Sequence, residues 1–197
     1  MSMSLAAKPT LIDRLVPSSL VADIAVIAGG AALTAVAAQV QFTIGNNPVP
    51  FTLQTLSVLL VGTVLGSVRG LLSMALYVLA GLVMPVYSEG AHGINVLLGA
   101  TGGYLFGFIV SAYLVGKLAE LKWSSNVLKM AASYVLGMAV TYALGVTVLT
   151  FSVLKGDWSM GLQYGLYPFL AWDAVKAVVA AGLVPGAWAL VKKVKGN

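Results

Sequence analysis

The stretch MAASYVLGMAVTYALGVTVLTFSV, residues 130–153, contains no Asp, Glu, Lys or Arg from end to end. An α-helix needs about 20 apolar residues to cross the roughly 30 Å hydrocarbon core of a bilayer. It is also one of only two structures that satisfy every backbone polar group there, the other being a closed β-barrel. A barrel strand would alternate apolar and polar residues over about ten positions. Residues 130–153 are instead continuously apolar and rich in Leu, Ala, Val and Gly, so they read as a transmembrane helix.

The rest of the chain repeats the pattern. Of 197 residues, 59% are of the AVILMFWYC group and 9% are charged, against about 45–50% apolar and about 25% charged in soluble domains. A water-soluble fold has nowhere to put that much apolar surface. Apolar runs at 21–41, 52–66, 71–84, 99–116, 130–153 and 167–191 predict an all-α polytopic membrane protein with six transmembrane helices. The organisation expected is an N-terminal tail over 1–20, a helical domain over 21–191 and a basic tail over 192–197. Many of the 22 glycines fall within or beside these runs, where small residues let helices approach closely. A cleavable signal peptide is the alternative for the first run, because Ala35-Val36-Ala37 resembles a cleavage site; the long leading tail and the apolar run beyond it favour a span.

The net charge of +5 reports topology, since the basic residues lie between the spans. Nine of the eleven fall in the N-terminal tail, the turn at Arg69, the loop with Lys117, Lys122 and Lys129, and the C-terminal tail. The opposite loops hold Lys155, and Lys176 lies within span six. By the positive-inside rule both termini are expected in the cytoplasm. No nucleic-acid partner is expected. The absence of cysteine excludes disulfides, thiolate catalysis and cysteine metal sites, and a single histidine, His92, leaves no histidine-rich one. No metal and no cofactor are expected. Gly116-Lys117 is followed by Leu118 and has Ser111 where a phosphate-cradling loop needs glycine, so an ATPase motif is not expected either.

Asp173 and Lys176 stand three apart, on one helix face, about two turns inside span six. A charge at mid-bilayer on a lipid face costs about 2.5–3.5 kcal/mol on insertion scales, so such residues face a bundle interior or a cavity. The pair either touches a ligand or glues helices together. Asn95 offers both donor and acceptor, or caps a helix. Thr52 and Gln54 follow the extended turn Pro48-Val49-Pro50 and either line a cavity or start a helix. Tyr87, Tyr104 and Trp172 lie where an aromatic interface belt is the default reading. Glu89 and His92 read as solvated, with a lid as the alternative. Ala28, Ala31, Ala32 and Ala35 form overlapping small-x-x-x-small pairs, suited to internal packing or to docking a separate membrane subunit. No Ser/His/Asp set or carboxylate pair supports an intramembrane enzyme.

Several segments, taken in order, resemble one family. They are Pro48-Val49-Pro50-Phe51-Thr52-Leu53-Gln54-Thr55-Leu56, Leu59-Leu60-Val61-Gly62, Leu65-Gly66-Ser67-Val68-Arg69-Gly70, Tyr77 with Gly81, Gly99-Ala100-Thr101-Gly102-Gly103-Tyr104-Leu105, Phe106-Gly107-Phe108, and Asp173 with Lys176. Together they resemble the BioY family of biotin-binding S components of energy-coupling factor (ECF) vitamin transporters. The resemblance implies an S-component-like six-helix bundle in the bacterial plasma membrane, with a biotin pocket near the outer face. It also implies a transmembrane coupling subunit and a pair of cytosolic ATPases as partners, docking on a surface that includes the alanine face of span one. An S component for another vitamin and a purely structural helix-packing subunit are the alternatives.

Overall fold

The computed structural model describes residues 10–195. Positions 1–9 and 196–197, and with them Lys8 and the end of the basic tail, lie outside the described residues. Eight α-helices and one small hairpin follow in order. Helix α1 is Leu20–Gln39, strands β1 and β2 are Gln41–Phe42 and Phe51–Thr52, α2 is Gln54–Leu65, and α3 is Ser67–Ala80. A short α4, Ile94–Leu98, precedes α5, Gly102–Glu120; then come α6, Val127–Ser152, α7, Trp158–Gly165, and α8, Tyr167–Lys195.

Helices α1, α6 and α7 begin where the sequence supplies an N-terminal acceptor. Ser19 Oγ accepts from Ala22 N at 3.2 Å, Asn126 Oδ1 from Lys129 N at 3.0 Å and Asp157 Oδ1 from Met160 N at 3.0 Å. Helices α2 and α3 are separated by Gly66 alone, whose φ of 89° an L side chain rarely adopts. The turn expected over 67–70 is therefore helix, and α3 starts four residues before the expected span. Helix α7 was not expected at all.

The six apolar runs each contain an apolar helix. Four stretches are long and apolar enough to cross a membrane by length and composition: α1, α5, α6, and the run Trp158–Val184 through α7 into α8. Helices α2 and α3, of 12 and 14 residues, are about 18 and 21 Å long. Residues 40–53 supply further depth beside α2 as extended backbone, antiparallel with Gln41 opposite Thr52. Such backbone is tolerable at membrane depth only inside protein, and Val49 and Phe51 in this segment are buried. Outward-facing side chains such as Val21, Leu128 and Val178 are largely exposed and apolar, as a lipid-facing surface requires.

Helix α5 is central, packed on α2, α3 and α6. Glycine permits the contact: a Cβ on Gly107 would lie 2.8 Å from Thr141 Cα in α6, and one on Gly116 2.4 Å from the Gly66 carbonyl carbon. At this end of the bundle Glu120 accepts from Ser67 N at 2.8 Å and Ser67 Oγ at 2.6 Å. Arg69 is wholly buried between Asp13 Oδ1 at 2.6 Å and Asp23 Oδ1 at 2.5 Å. Burial pushes the Asp13 carboxyl up, but hydrogen bonds from Thr10 and Arg69 outweigh it and hold the group below its ordinary value. The expected tail is thus docked from Thr10 onward, with Thr10 and Leu11 buried. At the opposite end Gln39 Nε2 donates to the Tyr87 carbonyl at 3.0 Å and Asn47 Nδ2 to that of Tyr164 at 3.0 Å.

The four alanines of α1 do not form one face. Ala31 is buried, and Ala35 is half-buried against the same core, on the side where Thr34 Oγ1 meets Ser57 Oγ at 2.7 Å. Ala28 and Ala32 are exposed. Of the alanines expected to dock a partner, Ala31 and Ala35 thus turn toward the core and Ala28 and Ala32 are open, because successive residues turn about 100° around a helix and the two strips straddle the edge of the core.

Candidate functional site

Pro48 and Pro50 keep the chain extended up to β2. The Thr52 hydroxyl then accepts from Gln54 N at 3.1 Å as α2 begins, and donates to Gln54 Oε1 at 3.0 Å. Gln54 Nε2 donates to Tyr77 Oη at 2.7 Å, and Tyr77 Oη to the Val86 carbonyl at 3.2 Å. This relay ties the start of α2 to α3 and to the loop after it.

Asp173 and Lys176 of α8 face this junction, both buried. Lys176 Nζ lies 2.5 Å from Asp173 Oδ1, 2.6 Å from the Thr52 carbonyl oxygen and 2.8 Å from Thr55 Oγ1. An ammonium has three N–H groups, so each has an acceptor. Thr55 Oγ1 donates to Asp173 Oδ1 at 3.0 Å, and Tyr142 of α6 donates to Asp173 Oδ2. A carboxylate offers about four lone-pair sites; three are filled, and one on Oδ2 is left.

These groups border a concave cavity between the 49–55 segment and helices α5, α6 and α8, apolar over most of its surface with a few convergent polar groups, as small-molecule sites are. Val49, Leu105, Phe108 and Phe169 make apolar walls, and Pro50, Ser88 and Thr101 come from three loops. An aromatic stack fixes the wall nearest α8: Phe42 lies 5.0 Å from Phe51, and Phe51 4.3 Å from Phe169, between ring centroids. Two larger grooves are almost wholly apolar. The first, between α6, α7 and α8, shares Tyr142 and Asp173 with the site as a common wall.

Of the substrate residues expected from sequence, Thr52, Gln54, Tyr87, Tyr104, Asp173 and Lys176 line the cavity. Tyr87 and Tyr104 are committed, donating to the Val78 carbonyl at 2.6 Å and the Gly165 carbonyl at 2.7 Å. Burial raises the Tyr87 phenol above its ordinary pKa, so it stays a neutral donor. Trp172 stands outside the lining, exposed, its ring centroid 5.6 Å from Lys176 Nζ. Asn95 is not brought to the site: it is exposed on α4, which Gly93 precedes as the capping position. Thr55, Tyr142 and Phe169 were missed. Thr55 stands one position after Gln54 in a stretch already singled out, and Thr141-Tyr142 interrupts the otherwise apolar centre of α6.

A family model described as the BioY family matches residues 7–193. "Biotin transporter BioY" of Thermotoga maritima is 46% identical over 151 residues, covering 76% of this chain and 86% of the other. "Biotin transporter BioY2" of Lactococcus lactis is 35% identical, covering 80% and 85%. A crystal structure described as the S-component for biotin from an ECF-type ABC transporter superimposes with a TM-score of 0.75 at 23% identity, covering 90% and 92%.

Removing one partner of a buried ion pair leaves the other charge unpaired, typically at a cost of about 3–5 kcal/mol. Lys176→Met is therefore expected to lower the thermal stability of detergent-purified protein markedly. Adding Asp173→Asn to it should restore part of the loss. If Lys176→Met melts like the parent, the pair is not the structural tie described.

Proposed function

The chain belongs to the BioY family, and from that premise we propose that it captures biotin between α2, α6 and α8 as the substrate-specific subunit of an ECF-type uptake system in the bacterial plasma membrane. The observation that carries this reading is the one lone-pair site left on Asp173 Oδ2, at the edge of a cavity otherwise walled by apolar and aromatic groups. The ureido ring of biotin carries two N–H donors and one carbonyl. An ionised carboxylate only accepts, so Asp173 receives a ureido N–H. Lys176 only donates, and a ligand oxygen reaches it by taking the place of the Thr52 carbonyl or the Thr55 hydroxyl. Val49, Leu105, Phe108 and Phe169 take the thiophane ring and the alkyl chain.

Energy for uptake would come from outside the chain, in keeping with Leu118 after Gly116-Lys117, where a nucleotide loop needs Ser or Thr. The partners are a transmembrane coupling subunit and a pair of cytosolic ATPases. The exposed Ala28–Ala32 strip of α1 is the surface on which another helix can come close. The end of the bundle bearing Arg69, Lys117, Lys122 and Lys129 faces the cytoplasm.

Asp173→Asn confronts a ureido N–H with a second donor. It is expected to cost on the order of 2–4 kcal/mol of binding, or roughly thirty- to a thousand-fold in the Kd for biotin measured by titration calorimetry. Exchanging the pair, Asp173→Lys with Lys176→Asp, reverses donor and acceptor on the same face; near-native affinity in that folded double variant would refute the site. For topology, a single cysteine at Gly156 should react with an impermeant reagent added outside cells and one at Lys122 should not, the reverse labelling overturning the orientation. Ala32→Leu is expected to leave biotin binding intact and to weaken co-purification with the coupling subunit; unchanged co-purification removes that strip from the interface.

A further inference from the structure

We propose that the site reads the ring end of its ligand and supplies no charge to the far carboxylate, so that neutral amides and esters of biotin bind as well as biotin itself. This rests on the biotin reading above and extends it to a substrate class.

Two acidic or basic side chains line the cavity among the described residues, Asp173 and Lys176. They lie 2.5 Å apart and neutralise one another. Each ammonium hydrogen of Lys176 already has a protein acceptor. A ligand carboxylate brought to Lys176 would therefore also be brought against the Asp173 carboxylate, and the repulsion of like charges opposes the attraction of the ammonium. The ureido ring, which can donate to Asp173, has no such conflict. The ring consequently goes to α8, and the valeryl chain runs away from it.

The lining also includes Pro50, Ser88 and Thr101, half-buried residues of loops outside the α8 pair, and it is toward these that the valeryl chain runs in this reading. The tyrosine hydroxyls of the lining are committed: Tyr87 to the Val78 carbonyl, Tyr104 to the Gly165 carbonyl and Tyr142 to Asp173. Thr141 donates to the Gly137 carbonyl at 3.2 Å. The hydroxyls of Ser88 and Thr101 are the donors at this end, and a hydroxyl serves an amide or ester carbonyl as readily as a carboxylate. The ionisable residue adjoining Ser88 is Glu89, an exposed acid whose Oε1 accepts from Thr43 Oγ1 at 3.3 Å. Its sign is wrong for holding an anion. A carboxylate without a cation must keep its water, so the acid end stays at the mouth and its charge adds nothing to affinity.

The test is competition between labelled biotin and unlabelled biotin, biotinamide or biotin methyl ester on the purified full-length protein. Biotinamide and the ester are expected to displace the label with dissociation constants within about threefold of that of biotin. If biotin binds and both neutral derivatives are weaker by about thirtyfold or more, the carboxylate is read by charge and the inference is overturned while the biotin reading stands. If biotin itself fails to bind, both fall together. A further arm uses Ser88→Ala with Thr101→Val, which should weaken biotin and biotinamide by the same factor. A selective loss for biotin would place a charge-dependent carboxylate contact at the mouth and count against the inference.

Discussion

The ammonium of Lys176 must have three acceptors, because a buried charge is tolerable only when paired and hydrogen-bonded. It finds them on the Thr52 carbonyl, the Thr55 hydroxyl and Asp173. One side chain of α8 thereby fixes the start of α2 and the extended segment before it. Asp173 in turn receives Tyr142, which brings in α6. The cavity is the space left beside these ties, and the polar groups that hold the bundle at this end are the same ones that face a ligand.

The far end obeys the same rule with different groups. Arg69 is buried between Asp13 and Asp23, and Glu120 takes both the backbone amide and the hydroxyl of Ser67. These contacts join the segment before α1, the α2–α3 turn and the end of α5. They are made within the protein, and none of these residues lines the cavity of the site. The site end differs in that the acceptor capacity left on Asp173 borders a cavity.

Much of the fold was legible because a bilayer leaves so few options: long uncharged runs must be helices, and they are. The site pair was legible for the related reason that intramembrane charges are expensive. Thr55 was not, because Ser and Thr hydroxyls within apolar helices commonly satisfy themselves on the carbonyl one turn back, and Tyr142 was not, because only the fold brings Asp173 to its hydroxyl. Thr141 and Thr147 do so here, bonding Gly137 and Ala143. Sequence does not say which hydroxyl turns instead to a neighbour. Arg69 read as a topology marker, and only the fold brings Asp13 and Asp23 to it. Alanine suits an internal contact and an external one equally, so the division of Ala31 and Ala35 from Ala28 and Ala32 had no signal in residue type. Asn95 had the right chemistry on the right loop, but α4 turns it outward.

The pairing of Asp23 with Arg69 also bears on biogenesis. Helix α1 leaves the ribosome before α3, so during synthesis the pair between Asp23 and Arg69 can form only once α3 has emerged. Lateral release of α1 alone into lipid would leave that pair unmade. The first three helices are therefore best retained together at the insertion machinery until Arg69 arrives, and the unit that partitions into the bilayer is a helical trio instead of a succession of single helices.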